Sequence, residues 1–153
     1  DAVNALRWHI LPKADLLTPN RPEAELLADM KIDSEKDIDV AARKLLDMGP
    51  KAVLIKGGHS GSASDAEFTD WLALPDEPLI ALKQPGVKTS NNHGTGCTLS
   101  AAIATYLGLG LGIRDAIVHA QKFLNHCLRH GYAPGLGAGP PNHASWIAKR
   151  VGE

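Results

Sequence analysis

A glycine-containing turn at residues 93–97 holds the groups with which this chain could do chemistry. It reads His-Gly-Thr-Gly-Cys and runs into an apolar stretch where Leu99, Ala102 and Ile103 follow helical spacing. The first amides of a helix lack an intrahelical partner and lie at the positive end of its dipole, so such a turn can bind an anion. The same position favours a thiolate at Cys97. A glycine turn before a core helix, with Cys97 packed as a small apolar residue, fits the pattern as well.

Asn20 and Glu23 form a second candidate site, between a short apolar run at residues 14–18 and the helix that follows. A strand followed directly by a helix places both residues at the carboxyl end of the strand, where open α/β folds bind ligands. An amide oxygen and a carboxylate three residues apart can share a corner for a hydrated magnesium ion. Asn20 is equally suited to cap the helix, and Glu23 to its first turn, so capping and metal binding both stay open.

Lys56 and Gly57 form a third candidate, at the end of the apolar run 51–56. A lysine at the tip of a strand can reach a phosphate as a point charge, and glycine allows the backbone to approach a nucleotide closely. A lysine that ends a strand and reaches into solvent is the alternative.

Regular elements must position these three segments. The apolar spacing, the prolines and the glycines predict helices over residues 2–11, from Asn20, from Ser34 to Gly49, from Gly96 and over residues 113–130, with strands over residues 14–18, 51–56, 67–74 and 79–82. The order strand, helix, strand before residue 57 predicts a right-handed crossover and a parallel pair. The later two strands are predicted to be antiparallel neighbours, and residues 60–65 a loop.

The segment from His93 to Ile103 resembles the signature of the hydroxymethylpyrimidine and hydroxymethylpyrimidine-phosphate kinases of thiamine biosynthesis, which are ribokinase-like enzymes. Residues 18–27 are similar to the Asn-x-x-Glu segment of that superfamily, residues 56–59 to the Lys-Gly-Gly-His segment of the pyrimidine kinases, and residues 139–143 to their C-terminal Gly-Pro-x-Asn-His. The resemblance implies an α/β, ribokinase-like fold with a mostly parallel sheet and helices on both faces in three layers. It also implies one domain over residues 1–153 that forms the C-terminal portion of the kinase, with the N-terminal part missing.

The resemblance implies ATP-dependent phosphorylation of 4-amino-5-hydroxymethyl-2-methylpyrimidine and of its monophosphate, with ATP and Mg²⁺ as cofactors. The implied catalytic residues hold the migrating phosphoryl group and act on the acceptor hydroxyl: Gly94, Thr95, Gly96 and Cys97. Most ribokinase-like enzymes have an aspartate after the glycine turn. This chain has a cysteine there instead, and in this it resembles the pyrimidine kinases. The implied cofactor residues bind Mg-ATP, with the first two holding Mg²⁺ through water: Asn20, Glu23, Lys56 and Gly57.

Three other functions stay open at this point. A pyridoxal-type kinase of the same superfamily would share these motifs. A non-catalytic, nucleotide-binding half-domain is the second, because the family's N-terminal part would carry most of the pyrimidine pocket, and the chain alone could be inactive. A cysteine hydrolase is the third, but the neighbouring His93 is poorly placed to act on Cys97, since catalytic pairs come from separate elements.

Composition excludes several classes of partner. The 153 residues are 44% hydrophobic and carry a net charge of -1 without a basic run, so neither nucleic acid nor a membrane is expected. The two cysteines, Cys97 and Cys127, form no disulfide framework, and a cytoplasmic protein with free thiols is predicted.

The resemblance implies small-molecule partners, ATP and a pyrimidine, and a homodimer is expected. The helix over residues 113–130 carries three histidines, His119, His126 and His130. His126 and His130 are one turn apart but have no clear third ligand or helper acid beside them, which favours solvated or helix-capping histidines over a metal site.

Overall fold

The structure is a computed structural model that describes residues 2–57 and 67–151, with side chains described as far as Ile147. The predicted loop at residues 60–65 and the Gly58-His59 pair lie outside the described residues. Contacts along the chain divide it into two compact units, Asp1–Pro85 and Gly86–Glu153. This division does not test the prediction of a single domain over residues 1–153, which stays a prediction.

The first unit combines helices with a small sheet. Its elements are α1 (Ala2–Ala5), α2 (Arg21–Ala28), α3 (Glu35–Leu46), β1 (Val53–Ile55), β2 (Glu67–Ala73) and β3 (Ile80–Pro85). A π-helical stretch at Leu6–Ile10 and a 3-10 turn at Leu11–Lys13 continue α1. The helical stretch predicted over residues 2–11 is therefore confirmed, although its hydrogen-bond pattern changes along its length.

The sheet has the order β1-β2-β3, and both pairs are antiparallel. The antiparallel pair predicted at residues 67–74 and 79–82 is thus confirmed. The sequence also predicted a mostly parallel sheet, but among the described residues parallel pairing is limited to the bridges Leu17↔Val53 and Asn20↔Lys56. The turn between β2 and β3 is too short for the crossover that parallel neighbours need.

The strand predicted over residues 14–18 is an extended segment that runs parallel to β1. The Leu17 amide donates to the Ala52 carbonyl at 3.0 Å, and the Leu54 amide donates to the Leu17 carbonyl at 2.8 Å. Pro19 has no N–H, which interrupts the ladder and leaves isolated bridges in place of a full strand. The Pro19 carbonyl still accepts from the Lys56 amide at 2.9 Å. This bond aligns the start of α2 with the end of β1.

Helices α2 and α3 each begin at a capping box. Asn20 and Glu23 form the first, and Ser34 and Asp37 the second. Hydrogen bonds from the Ser34 side chain and the Asp33 amide lower the pKa of Asp37, so this carboxylate stays charged at lower pH than a free aspartate. The helix predicted after Ser34 is confirmed, and α3 buries Ala41, Ala42 and Leu45 in the core of this unit. That core consists of Ala24, Leu27, Ala28, Ile32, Ala41, Ala42, Leu45, Val53, Ile55 and Ala73.

The second unit is helical. It contains α4 (Thr95–Gly108), α5 (Ile113–Arg129) and α6 (Ala144–Val151), with α5 packed against both α4 and α6. The buried face predicted after the glycine turn is confirmed, since Leu99, Ala102 and Ile103 are all buried. The helix predicted over residues 113–130 is confirmed to within one residue. No helix among the described residues is long and apolar enough to cross a bilayer.

Candidate active site

The glycine turn forms the start of α4, as the sequence predicts. Gly94 is the N-cap residue with φ 79° and ψ 11°, a left-handed conformation that glycine adopts without strain. The Thr98 amide donates to the Gly94 carbonyl at 2.9 Å, and the Thr95 amide makes a long bond of 3.4 Å to the Asn92 carbonyl. The amides of Gly96 and Cys97 have no hydrogen-bond partner in the described part of the chain. Two open donors thus lie at the positive end of the α4 dipole, which suits an anion.

Cys97 is exposed and lines a cavity of about 620 Å³ in the second unit. The other walls come from one face of α4 and from three aromatic side chains, Phe123, His143 and Trp146. No histidine in the described residues is hydrogen-bonded to Cys97, so the arrangement required by a cysteine hydrolase is not found there. The His93 amide donates to the Gly139 carbonyl at 3.1 Å.

Cys127 lies in a different environment. It is fully buried on α5, and burial raises the pKa of its thiol to about 11. Because the thiolate is the reactive form, Cys127 is a packing residue, and Cys97 is the thiol that a reagent or substrate can reach.

The histidines of α5 lie near its C-terminal end. His126 and His130 stack with their ring centroids 4.3 Å apart, and Nδ1 of His130 donates to the His126 carbonyl at 2.9 Å. His119 contacts Tyr106 of α4, with ring centroids 5.4 Å apart. The described residues contain no group of three potential ligands that could hold a metal ion.

Asn20 and Glu23 bind each other across the start of α2. Oδ1 of Asn20 accepts from the Glu23 amide at 2.8 Å, and Oε2 of Glu23 accepts from the Asn20 amide at 2.8 Å. The capping alternative is therefore realised in the structure. It leaves Oε1 of Glu23 without a hydrogen-bond partner among the described residues, and Oδ1 of Asn20 keeps a second lone pair. An oxygen pair of this kind fits a hydrated Mg²⁺, which keeps most of its water ligands.

The parallel bridge between Asn20 and Lys56 brings two of the predicted residues to the same edge of the first unit. The Lys56 side chain has no ion pair or hydrogen bond among the described residues, and it lines a cavity of about 180 Å³ together with Arg21. Glu67 also lines this cavity, but its carboxylate is paired with Lys83 at 3.1 Å. The cationic side chains of Lys56 and Arg21 therefore share one small cavity, and the Glu67 carboxylate that also lines it is paired with a different lysine.

Sequence reasoning missed Arg21, although it lies inside the segment that was singled out for Asn20 and Glu23. The signal for Arg21 in the sequence is its positive charge directly after Asn20. It also missed His143, whose Nε2 lies 2.9 Å from Oγ1 of Thr98. The only sequence signal for His143 was the similarity of residues 139–143 to a family segment.

Gly57 has a structural reason to be glycine. Its amide donates to Oδ1 of Asp70 at 3.0 Å, and a Cβ at this position would overlap the carbonyl oxygen of Thr69. The backbone that Gly57 approaches closely in the structure is thus that of strand β2. The predicted contact between Gly57 and a nucleotide stays a prediction.

The model of the phosphomethylpyrimidine kinase family matches residues 1–142 of this sequence. The chain belongs to the phosphomethylpyrimidine kinase family. A hydroxymethylpyrimidine/phosphomethylpyrimidine kinase from Synechococcus elongatus is 46% identical over 142 residues, which are 93% of this chain and 53% of that protein. The enzyme of the same name from Haemophilus influenzae is 39% identical and covers 98% of this chain and 55% of its own length. The chain spans about half the length of these relatives.

Solved structures confirm the α/β, ribokinase-like fold. Staphylococcus aureus pyridoxal kinase, in complex with AMP-PCP and pyridoxal, matches with a TM-score of 0.85 at 30% identity over 94% of this chain and 53% of that chain. Phosphomethylpyrimidine kinase from Clostridium difficile matches with a TM-score of 0.59 at 33% identity over 79% of this chain and 46% of that chain. The resemblance seen in the sequence is therefore confirmed.

The first prediction concerns Gly57. We expect Gly57→Ala to lower the free energy of unfolding by about 1–3 kcal/mol, because the new methyl group must push β2 away from β1. Urea denaturation measures the change. Gly108→Ala is the matched control: its Cβ meets open space at the end of α4, and alanine there should be neutral or stabilising. Equal stability of the two variants would contradict the close approach.

The second prediction concerns the thiols. In the folded chain at mildly alkaline pH, we expect a water-soluble disulfide reagent to modify Cys97 and to leave Cys127 unmodified, because Cys127 is buried and its pKa is raised to about 11. Denaturation should release the second thiol, and Cys97→Ser should abolish the reaction of the folded chain. Modification of both thiols at similar rates before unfolding would show that α5 is not packed as described.

Proposed function

We propose that this chain carries the phosphate-handling groups of an ATP-dependent kinase that phosphorylates 4-amino-5-hydroxymethyl-2-methylpyrimidine and its monophosphate. The observation that carries the proposal is the pair of open amides at Gly96 and Cys97, at the start of α4. Phosphoryl transfer depends mainly on positioning and on stabilising the charge of the migrating group, and backbone amides at a helix start do both. The names of relatives at 39–46% identity support the choice of substrate.

Lys56 and Arg21 are the proposed phosphate contacts of the first unit. Both line one cavity, and neither has an ion pair within the described residues. A guanidinium can bind two phosphate oxygens at once, and an ammonium acts as a point charge. ADP and AMP-PCP complexes of the related pyridoxal kinases support a nucleoside triphosphate as the donor.

Glu23 and Asn20 are the proposed magnesium residues. Oε1 of Glu23 is the open oxygen, and the mutual cap holds its carboxylate in place. When bound, Mg²⁺ would neutralise charge on the phosphates of ATP. The role of this chain's residues is to orient the hydrated ion through one carboxylate and one amide oxygen.

Cys97 is the proposed contact of the acceptor hydroxyl. Its thiol is exposed on a cavity with aromatic walls, and its own amide is one of the two open donors. A thiolate at this position can accept the hydroxyl proton while the adjacent amides hold the phosphoryl group.

One alternative has specific support. A pyridoxal-type kinase is favoured by the higher TM-score to pyridoxal kinases, 0.85 against 0.59 for the Clostridium difficile phosphomethylpyrimidine kinase. A nucleotide-binding chain without turnover is the second alternative, and the assay below distinguishes it. The cytoplasmic location and the homodimer stay predictions.

Turnover by this chain is the test of the proposed function. With ATP and Mg²⁺, we expect this chain to phosphorylate the hydroxymethylpyrimidine and its monophosphate, and to phosphorylate pyridoxal more slowly or not at all. Chromatography of the products measures each reaction. Turnover of pyridoxal alone would replace the proposed substrate by the alternative. ATP binding without any turnover would support the non-catalytic alternative, and absence of ATP binding would overturn the proposal.

A third prediction concerns the nucleotide contact. We expect Lys56→Gln to weaken ATP binding by about ten- to a hundredfold, because a charge-assisted contact to phosphate is lost. Isothermal titration of ATP and of adenosine measures it, and adenosine binding should not change. Lys36→Gln is the control, since it removes the same charge from an exposed position on α3 that lies outside the cavity. Equal ATP affinity of Lys56→Gln and the unchanged chain would remove Lys56 from the site.

A further inference from the structure

The segment Gly139–His143, which we call the C-terminal brace, is bonded to the chain on both sides of the glycine turn. Before the turn, the Gly139 amide donates to Oδ1 of Asn91 at 3.1 Å, and the Gly139 carbonyl accepts from the His93 amide at 3.1 Å. After the turn, Nε2 of His143 lies 2.9 Å from Oγ1 of Thr98. The two open amides lie between these attachment points.

The C-terminal brace is itself fixed to α5. The Asn142 amide donates to the carbonyl of Cys127 at 2.9 Å, and the His143 ring lies nearly parallel to that of Phe123, with centroids 6.2 Å apart. Gly139 is buried, and a Cβ there would overlap the carbonyl oxygen of Tyr132. Only glycine allows this approach, so the position of the brace is set by packing against the backbone that directly follows α5.

The segment that the brace holds has little other support. Residues 86–94 form no helix or strand, and Gly94 offers no side-chain cap to α4. Unsupported first turns of helices fray, and a frayed turn no longer presents its amides in one direction. The bond to Thr98 is well placed to prevent this, since Thr98 is buried and directly follows the two open amides.

We propose that the C-terminal brace positions the Gly96 and Cys97 amides for a phosphate group, with Thr98 and His143 as positioning residues. The inference rests on the proposed function for the identity of the anion. Neither residue needs to touch the phosphate. Their hydrogen bond holds the first turn of α4, and the amides of that turn bind the phosphate.

The test replaces one hydroxyl by a methyl group of the same size. Thr98→Val removes the bond to His143 and keeps the buried volume. Thr105→Val is the matched control on the same helix, because the Thr105 hydroxyl donates within α4, to the Ala101 carbonyl at 2.9 Å. Both variants are compared with the unchanged chain in amide hydrogen exchange of residues 95–99 and in titration with pyrophosphate and with adenosine. Circular dichroism checks that all three are folded.

For Thr98→Val we expect amide exchange at residues 95–99 to rise, and pyrophosphate affinity to fall, by about two- to tenfold each, as for the loss of one neutral hydrogen bond. Adenosine affinity should not change, which separates loss of positioning from general loosening. Thr105→Val should behave as the unchanged chain. His143→Gln should keep much of the protection, because an amide side chain can replace the bond to Thr98.

Two results would overturn the inference. One is unchanged exchange and pyrophosphate affinity in Thr98→Val. The other is equal loss in Thr98→Val and Thr105→Val, which would show a general effect on α4. If the unchanged chain binds no pyrophosphate or ATP, the proposed function fails and the role of the brace in phosphate binding fails with it. If the unchanged chain binds both and Thr98→Val binds pyrophosphate with the same affinity, only the brace inference fails.

Discussion

Two backbone amides at the start of α4 have no acceptor among the described residues, and the chemistry proposed for the second unit depends on them. A helix cannot satisfy its own first amides, so a cap, water or a ligand must do so. Here Gly94 occupies the N-cap position and has no side chain with which to cap. A serine or aspartate at this position would occupy one of the amides that a phosphate needs. The left-handed conformation of Gly94 therefore serves both the turn and the exposure of the donors.

The first unit shows the opposite arrangement, in which side chains cap the helix start. Asn20 and Glu23 satisfy each other's amides, and this mutual bonding also holds the free carboxylate oxygen of Glu23 in one place. Capping and ligand binding are thus compatible uses of the same two side chains, although from the sequence they are competing interpretations. The bridge from Asn20 to Lys56 extends the arrangement to β1, because the Pro19 carbonyl fixes the Lys56 amide. The short parallel pairing between residues 19–20 and Lys56 therefore fixes both the Asn20 cap and the position of the Lys56 charge.

Sequence periodicity predicted helices in both units, because helices such as α3 and α5 bury a regular stripe of residues. It did not predict the balance of parallel and antiparallel pairing, since this depends on which distant segments meet. The same reason explains the two site residues that were missed. Arg21 is significant only because β1 brings Lys56 beside it, and His143 only because it bonds to Thr98, which lies 45 residues earlier. Residues that act through local geometry, such as Gly94 and Asn20, are visible in the sequence, whereas residues that act through a distant partner are not.

The groups proposed for the site of this chain suit a phosphate group better than the ring of an acceptor. Backbone amides, cationic side chains such as Lys56 and Arg21, and a carboxylate for Mg²⁺ would serve any kinase that transfers the terminal phosphoryl group of ATP, whatever the acceptor. A close structural match to pyridoxal kinase is therefore expected for these elements even if the acceptor is a pyrimidine. As an indication of the substrate, the TM-score of 0.85 therefore carries less weight than the 46% identity to a hydroxymethylpyrimidine/phosphomethylpyrimidine kinase. A TM-score compares backbones, whereas sequence identity also compares side chains. Selectivity must arise from side chains that contact the acceptor ring. Among the described residues, the cavity beside Cys97, with its aromatic walls, is the place where such contacts can begin.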